Sequence, residues 1–139
     1  MNRAAASAAH LPVIDAESAP FWTATKERKF LIRHCNACRR THFYPRYACP
    51  YCWSDNCEWR AAAGAGRIYS YTVIHQADTP PFTEMVPYIV GLVDLPEGVR
   101  VTSNIVECTP EVVHVGMPVE VVYQRVTDEI TLPQFRPRS

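Results

Sequence analysis

The chain has 139 residues, enough for one domain or two very small ones, and 47% of them are apolar, enough for a buried core. Fourteen Lys/Arg balance fourteen Asp/Glu, which excludes a global field for nucleic acid or an anionic membrane. No stretch approaches the roughly eighteen consecutive apolar residues of a membrane-spanning helix. The charge is unevenly spread: residues 1–67 hold ten basic and five acidic side chains, residues 68–139 four and nine. Most of the basic excess lies in residues 26–46, where seven cations face a single acid, Glu27.

Residues 1–14 read as a loose, disordered tail. Residues 1–9 are Ala-rich and carry Arg3 without the continuous apolar stretch of a secretory signal. The default expectation is therefore a cytoplasmic, reducing location, where paired cysteines more often bind metal than form disulfides. Residues 15–30 read as a helix, with Ser18 as N-cap and Pro20 in the first turn. Phe21, Trp22, Thr25 and Lys29 then share one face by the three-to-four spacing. Residues 31–60 form a separate module, in which residues 35–59 are dense in Cys, aromatics and Arg but almost without long aliphatic side chains. Such a stretch needs a staple in place of a core.

From Gly64 the texture becomes that of strands. RIYSYTVIH at 67–75 and YIVGLVDL at 88–95 are rich in β-branched and aromatic residues. LPEG at 95–98 marks a hairpin. In residues 99–106, Val99, Val101, Ser103 and Ile105 alternate with Arg100, Thr102 and Asn104, a period of two. Thr109, Pro110 and Glu111 predict one short helical turn. Residues 119–127 and 130–135 complete about five strands. The Pro-rich loop 77–87 projects from the sheet. A mainly β chain results: a helix, a metal-stapled module, and over 61–139 a small five-stranded antiparallel barrel.

The staple is legible in CNAC and CPYC. Cys35/Cys38 and Cys49/Cys52 form two C-x-x-C turns ten residues apart. Zn²⁺ takes four tetrahedral ligands, and four thiolates close its shell, leaving no position for water or substrate. The ion is thus structural. A rubredoxin-type iron would use the same ligands; a redox dithiol is weaker, because such motifs sit near a βαβ pattern that is absent. Cys57 and Cys108 read as ordinary small apolar residues, His34 and His42 as donors only should a cysteine fail. A Cys108 nucleophile with His75 or His114 has no support in spacing. Gly64 and Gly66 precede a strand, the wrong order for a dinucleotide fingerprint, and read as the turn into the barrel. No Ser-His-Asp set or nucleophile elbow can be assembled.

Arginine interleaved with Trp22, Phe43, Tyr44 and Tyr47 suits single-stranded nucleic acid, the phosphorylated ADP portion of coenzyme A, or a protein interface. The acidic balance of the barrel half runs against a barrel groove that tracks phosphates.

FW at 21–22, CNAC, YPR before CPYC, GAGRIYSYTVIH, PYIVGLVDLPEGVRV, VGMPVEV and LPQFRP together resemble a known family. It is the zinc-ribbon plus OB-fold family of small proteins associated with thiolase-type acyl-CoA enzymes, long catalogued as a domain of unknown function. The resemblance spans residues 21–137. It implies a rubredoxin-like zinc ribbon followed by an OB-fold, and Cys35, Cys38, Cys49 and Cys52 as metal ligands. It also implies a non-catalytic accessory subunit that docks on a thiolase-superfamily enzyme, such as an aldolase of steroid side-chain breakdown. Such a subunit supports its partner and helps form the coenzyme A channel. Arg39, Arg40 and Arg46 are candidate docking or CoA-phosphate contacts, since arginine suits planar recognition of phosphate and carboxylate. The alternative is a single-stranded nucleic-acid-binding module.

Overall fold

Pro20 presets the backbone for a first helical turn, and helix α1 (Ala19–Lys26) starts beside it. The computed structural model of the chain describes residues 11–139; the reading of a loose tail and of a missing signal segment lies, for residues 1–10, outside the described residues. α1 is shorter than the 15–30 expected. Ser18 stands at the N-cap without capping through its side chain. Its hydroxyl and its amide both donate to Asp15 Oδ1, each at 2.8 Å, so the acid three residues upstream absorbs the cap. Phe21, Ala24 and Thr25 form the buried face. Lys29 lies past the helix end and is exposed, because Arg28 takes φ 60 and turns the chain away.

The ribbon is a three-stranded sheet. Strand β1 (Phe30–Cys35) is central, flanked by β2 (Thr41–His42) and β3 (Cys57–Ala62). Both pairings are antiparallel; β1 and β3 run in register from Phe30↔Ala62 to Cys35↔Cys57.

Five further strands make a closed barrel: β4 (Ala65–Ile74), β5 (Tyr88–Asp94), β6 (Arg100–Ile105), β7 (Pro118–Arg125) and β8 (Thr131–Pro137). The order around it is β4-β5-β6-β8-β7. One contact departs from the expected antiparallel arrangement: β6 and β8 run parallel, with Ile105 opposite Phe135. The cause is the crossover after β6. Residues 106–117 carry the chain past the gap, β7 fills the far side, and β8 returns by a hairpin in the direction of β6. The period-two expectation holds on β6, where Val101 and Ile105 are buried and Arg100 and Thr102 exposed. Thr109 starts a single turn, its carbonyl accepting from the amides of Val112 and Val113. The loop at 77–87 contains the one-turn helix α2 (Phe82–Met85).

Gly64 and Gly66 are required where the ribbon meets the barrel. Gly64 has φ +82, a region open to glycine and strained for other residues. A Cβ on Gly66 would stand 2.6 Å from the Asp94 carbonyl oxygen.

The two sheets share one core. Ile68, Val93, Val119 and Phe135 of the barrel pack in the same cluster as Phe21 of α1 and Phe30 and Ile32 of β1. Phe30 stacks on Phe43 at 5.3 Å between ring centroids and meets Phe135 edge-on at 6.2 Å. Each such ring contributes about 1.5–3 kcal/mol by burial. Thr41 Oγ1 donates to the Glu97 carbonyl (2.8 Å) and the Ala63 amide to Glu97 Oε2 (2.9 Å). These bonds fix the β5–β6 hairpin against the ribbon.

Candidate metal centre

Strand β1 ends at Cys35 and hands it directly into a tight turn. The Arg39 amide donates to the Cys35 carbonyl at 2.8 Å, and in the second turn the Trp53 amide donates to the Cys49 carbonyl at 2.9 Å. The two turns are thus built alike, each with an amide aimed at its first sulfur: Cys38 N–H to Cys35 Sγ (3.5 Å) and Tyr51 N–H to Cys49 Sγ (3.3 Å). Cys35, Cys38, Cys49 and Cys52 converge, all four Sγ atoms lying within 4.8 Å of one another. The gaps Cys35–Cys52 and Cys38–Cys49 are 3.6 and 3.7 Å. A tetrahedron with Zn–S bonds of about 2.3 Å has edges of about 3.8 Å, so the donor set fits a single zinc. This is the one group of metal-ligating side chains among the described residues.

Electrostatics favours a cation there. The amide of Cys38 and its neighbours lower the Cys35 thiol to about 6. Cys38 accepts from the Arg40 amide, yet burial and the surrounding sulfurs push it up to about 11. Four thiolates this close cannot ionise together without a positive charge among them. A bound zinc supplies that charge and cross-links the two turns.

The remaining cysteines and histidines stay outside the cluster. Cys57 sits opposite Cys35 on β3 and donates to the Ser54 carbonyl (3.8 Å). Burial raises the Cys108 thiol, which donates to the Thr109 carbonyl. His114 Nδ1 contacts the Val112 carbonyl and His75 is exposed, so no cysteine–histidine pair forms among the described residues. His42 is buried opposite Arg33, neither ring nitrogen hydrogen-bonded. Burial, reinforced by Arg33 and Arg46, holds its imidazole below the ordinary range.

The three candidate arginines all lie on the ribbon but line no common cavity. Arg39 is exposed, with φ 66. Arg40 covers the ring of Tyr51 at 4.9 Å. Arg46 stands 3.9 Å from Glu17 and lines a cleft of about 680 Å³ between ribbon and hairpin, together with Tyr44, Tyr51 and Arg100. Sequence reasoning missed Arg100, which is fixed by Asp94 and laid over Tyr69. It also missed the backbone of Arg39 and Trp53, both at positive φ. The only available signal was that each residue follows the second cysteine of its turn.

Comparison with known proteins identifies the architecture. Residues 22–58 match the ChsH2 rubredoxin-like zinc ribbon domain and residues 59–124 the ChsH2 C-terminal OB-fold domain. A DUF35 domain-containing scaffold protein of Methanocaldococcus jannaschii is 37% identical over 110 residues, covering 78% of this chain and 77% of that protein. The chain belongs to the DUF35 family. Among solved structures, a chain of the "Ltp2-ChsH2(DUF35) aldolase" superposes with a TM-score of 0.80 at 38% identity, covering 91% of this chain and 98% of that one. A probable enoyl-CoA hydratase alpha subunit of Thermomonospora curvata is 40% identical over 126 residues, but this DUF35 chain spans only 39% of its length. As a zinc-ribbon family, DUF35 matches the four-thiol cluster, and no helix among the described residues is long and apolar enough to cross a membrane.

Proposed function

We propose that this DUF35 protein is a non-catalytic, cytoplasmic scaffold subunit that docks on a thiolase-superfamily enzyme of acyl-CoA metabolism. The observation that carries the reading is the match to the DUF35 chain of an aldolase complex, which covers 91% of this chain and 98% of that one at 38% identity. In this reading Cys35, Cys38, Cys49 and Cys52 ligate one structural zinc, and the closed shell leaves the ion no open position for chemistry. Residues 31–60 act as the zinc ribbon and residues 61–139 as the OB-fold barrel, with the helical segment of residues 15–30 ahead of them. The partner carries the catalytic groups, as in the aldolases of steroid side-chain breakdown that the resemblance implies. The cleft beside Arg46, Tyr51 and Arg100 suits the phosphorylated ADP of coenzyme A where the two subunits meet: arginines for phosphate, rings for the base.

Co-expression with a thiolase-superfamily subunit, followed by size-exclusion chromatography, tests this directly. A stable heteromer is expected, while the chain alone leaves short acyl-CoA esters unchanged at neutral pH. Turnover of an acyl-CoA by the monodisperse single chain would defeat the reading.

A further inference from the structure

The two metal turns share an oddity that the closed zinc site does not explain. In each, the residue after the second cysteine adopts a left-handed backbone: Arg39 at φ 66 and Trp53 at φ 67. Each amide donates to the carbonyl of the first cysteine in its turn, so the geometry is imposed by the metal knuckle and recurs in both copies. Glycine satisfies that geometry without steric cost, whereas a bulky side chain there is strained. The chain nevertheless carries an arginine at one position and a tryptophan, the largest side chain, at the other. Neither gains compensating burial, for Arg39 is exposed and Trp53 is 81% exposed. Two large exposed side chains placed alike on the matched knuckles point to a contact made elsewhere.

The surroundings say what kind of contact. Among the described residues, four of the nine exposed large hydrophobics, Tyr44, Tyr47, Tyr51 and Trp53, fall within ten positions of the ribbon. Arg40 lies over Tyr51, and residues 35–53 carry Arg39, Arg40 and Arg46 but no acidic side chain. Exposed Trp, Tyr and Arg are the residue types that dominate protein–protein binding energy. A cationic, aromatic face complements an acidic surface bearing an apolar recess.

We propose that the metal knuckles are the docking face for the catalytic subunit, with Trp53 as the buried anchor and Arg39 as the electrostatic contact to partner carboxylates. This rests on the scaffold reading above and adds to it the surface and the residues. The zinc ion then has a second consequence: it holds two side chains in the orientation that the partner meets, so the docking surface is preorganised.

The test separates strain from function. Trp53→Gly and Trp53→Asn both tolerate positive φ, Trp53→Phe keeps an aromatic ring, and Arg39→Gly removes the charge. Val115→Ser alters an exposed apolar residue on the barrel loop. Each full-length variant is measured for melting temperature, zinc content and affinity for the Ltp2 subunit of the Ltp2-ChsH2(DUF35) aldolase. Trp53→Gly and Trp53→Asn should keep zinc, melt at or above the wild-type temperature, and bind at least about tenfold more weakly. Trp53→Phe should recover part of that loss. Arg39→Gly should bind several-fold more weakly, with less dependence on salt than wild type, and Val115→Ser should bind as wild type.

Equal binding by wild type and both Trp53 variants overturns the docking face while leaving the scaffold reading intact. Loss on Val115→Ser alone moves the interface to the barrel. Wild-type protein that ignores Ltp2 and also forms no heteromer with a co-expressed thiolase-superfamily subunit removes both readings. If it then holds a single-stranded oligonucleotide through Arg39, the surface is a nucleic-acid site.

Discussion

In the barrel, Val93, Val119 and Phe135 are completely buried, and neighbouring strands supply aliphatic partners at every layer. Across residues 35–56 of the ribbon the only buried positions are Cys35, His42 and Cys49. Both regions are antiparallel sheet for most of their pairing, yet the first is held by area removed from water and the second by coordination. The contrast follows from chain length. A closed five-stranded sheet encloses an interior, whereas two tight turns and a two-residue strand cannot, so a cation replaces the missing side chains. The regions are still not independent, because Phe30 and Ile32 of β1 belong to the barrel's own core.

The sharpest way to break this contrast is to remove the cation. Cys49→Ser eliminates a fully buried sulfur and should abolish stoichiometric zinc. Structural zinc sites carry apparent binding free energies of about 10–16 kcal/mol in small peptides at pH 7, so this is the largest effect expected anywhere in the chain. Hydrogen exchange should rise across residues 31–60 while β4–β7 stay protected. Barrel amides exchanging as fast as ribbon amides would mean that the metal holds both halves. Phe135→Ala probes the opposite side. It should cost about 3–5 kcal/mol and leave zinc bound, because the ring fills the seam rather than the cluster. Calorimetry should show one transition at lower temperature; two separated transitions would show that the Phe30–Phe135 contact does not couple the sheets.

The same contrast explains what was legible beforehand. Residues 99–106 announce their faces because each alternate residue meets one environment, core or water, while the strands at 67–75 and 88–95 were placed by their β-branched and aromatic content. The four sulfurs were legible because ligand spacing is local. Closure was not: the parallel pairing of Ile105 with Phe135 depends on where a crossover lands, which no local period encodes. Ser18 failed as a cap because Asp15, three residues upstream, competes for its hydroxyl. Arg39 and Trp53 were invisible as strained residues, since an arginine and a tryptophan carry no mark of backbone angle.

Smaller substitutions test the joint between the regions. Gly64→Ala places a methyl group 2.6 Å from Val121 Cγ1 at φ +82, and overpacking with a forbidden angle should cost about 1–3 kcal/mol. Urea titration should show a lower midpoint with an unchanged slope.

The smallest effect belongs to the hairpin surface, where Asp94 meets Arg100 through two hydrogen bonds, Nε to Oδ1 at 2.6 Å and Nη2 to Oδ2 at 3.0 Å. Those bonds hold the Asp94 carboxyl below its ordinary range. A depressed folded pKa means a contribution that is present above the unfolded value, about 3.9, and lost as pH falls through the folded value. Both side chains are nearly half exposed, so solvent screens the pair and Asp94→Asn should cost only about 0.2–1 kcal/mol at pH 7. The melting temperatures of wild type and variant should therefore converge on acidification, and the gap should narrow at 0.5 M salt as screening shortens. A gap that persisted undiminished at pH 2 would assign the loss to packing of Arg100 over Tyr69, which protonation of Asp94 leaves in place.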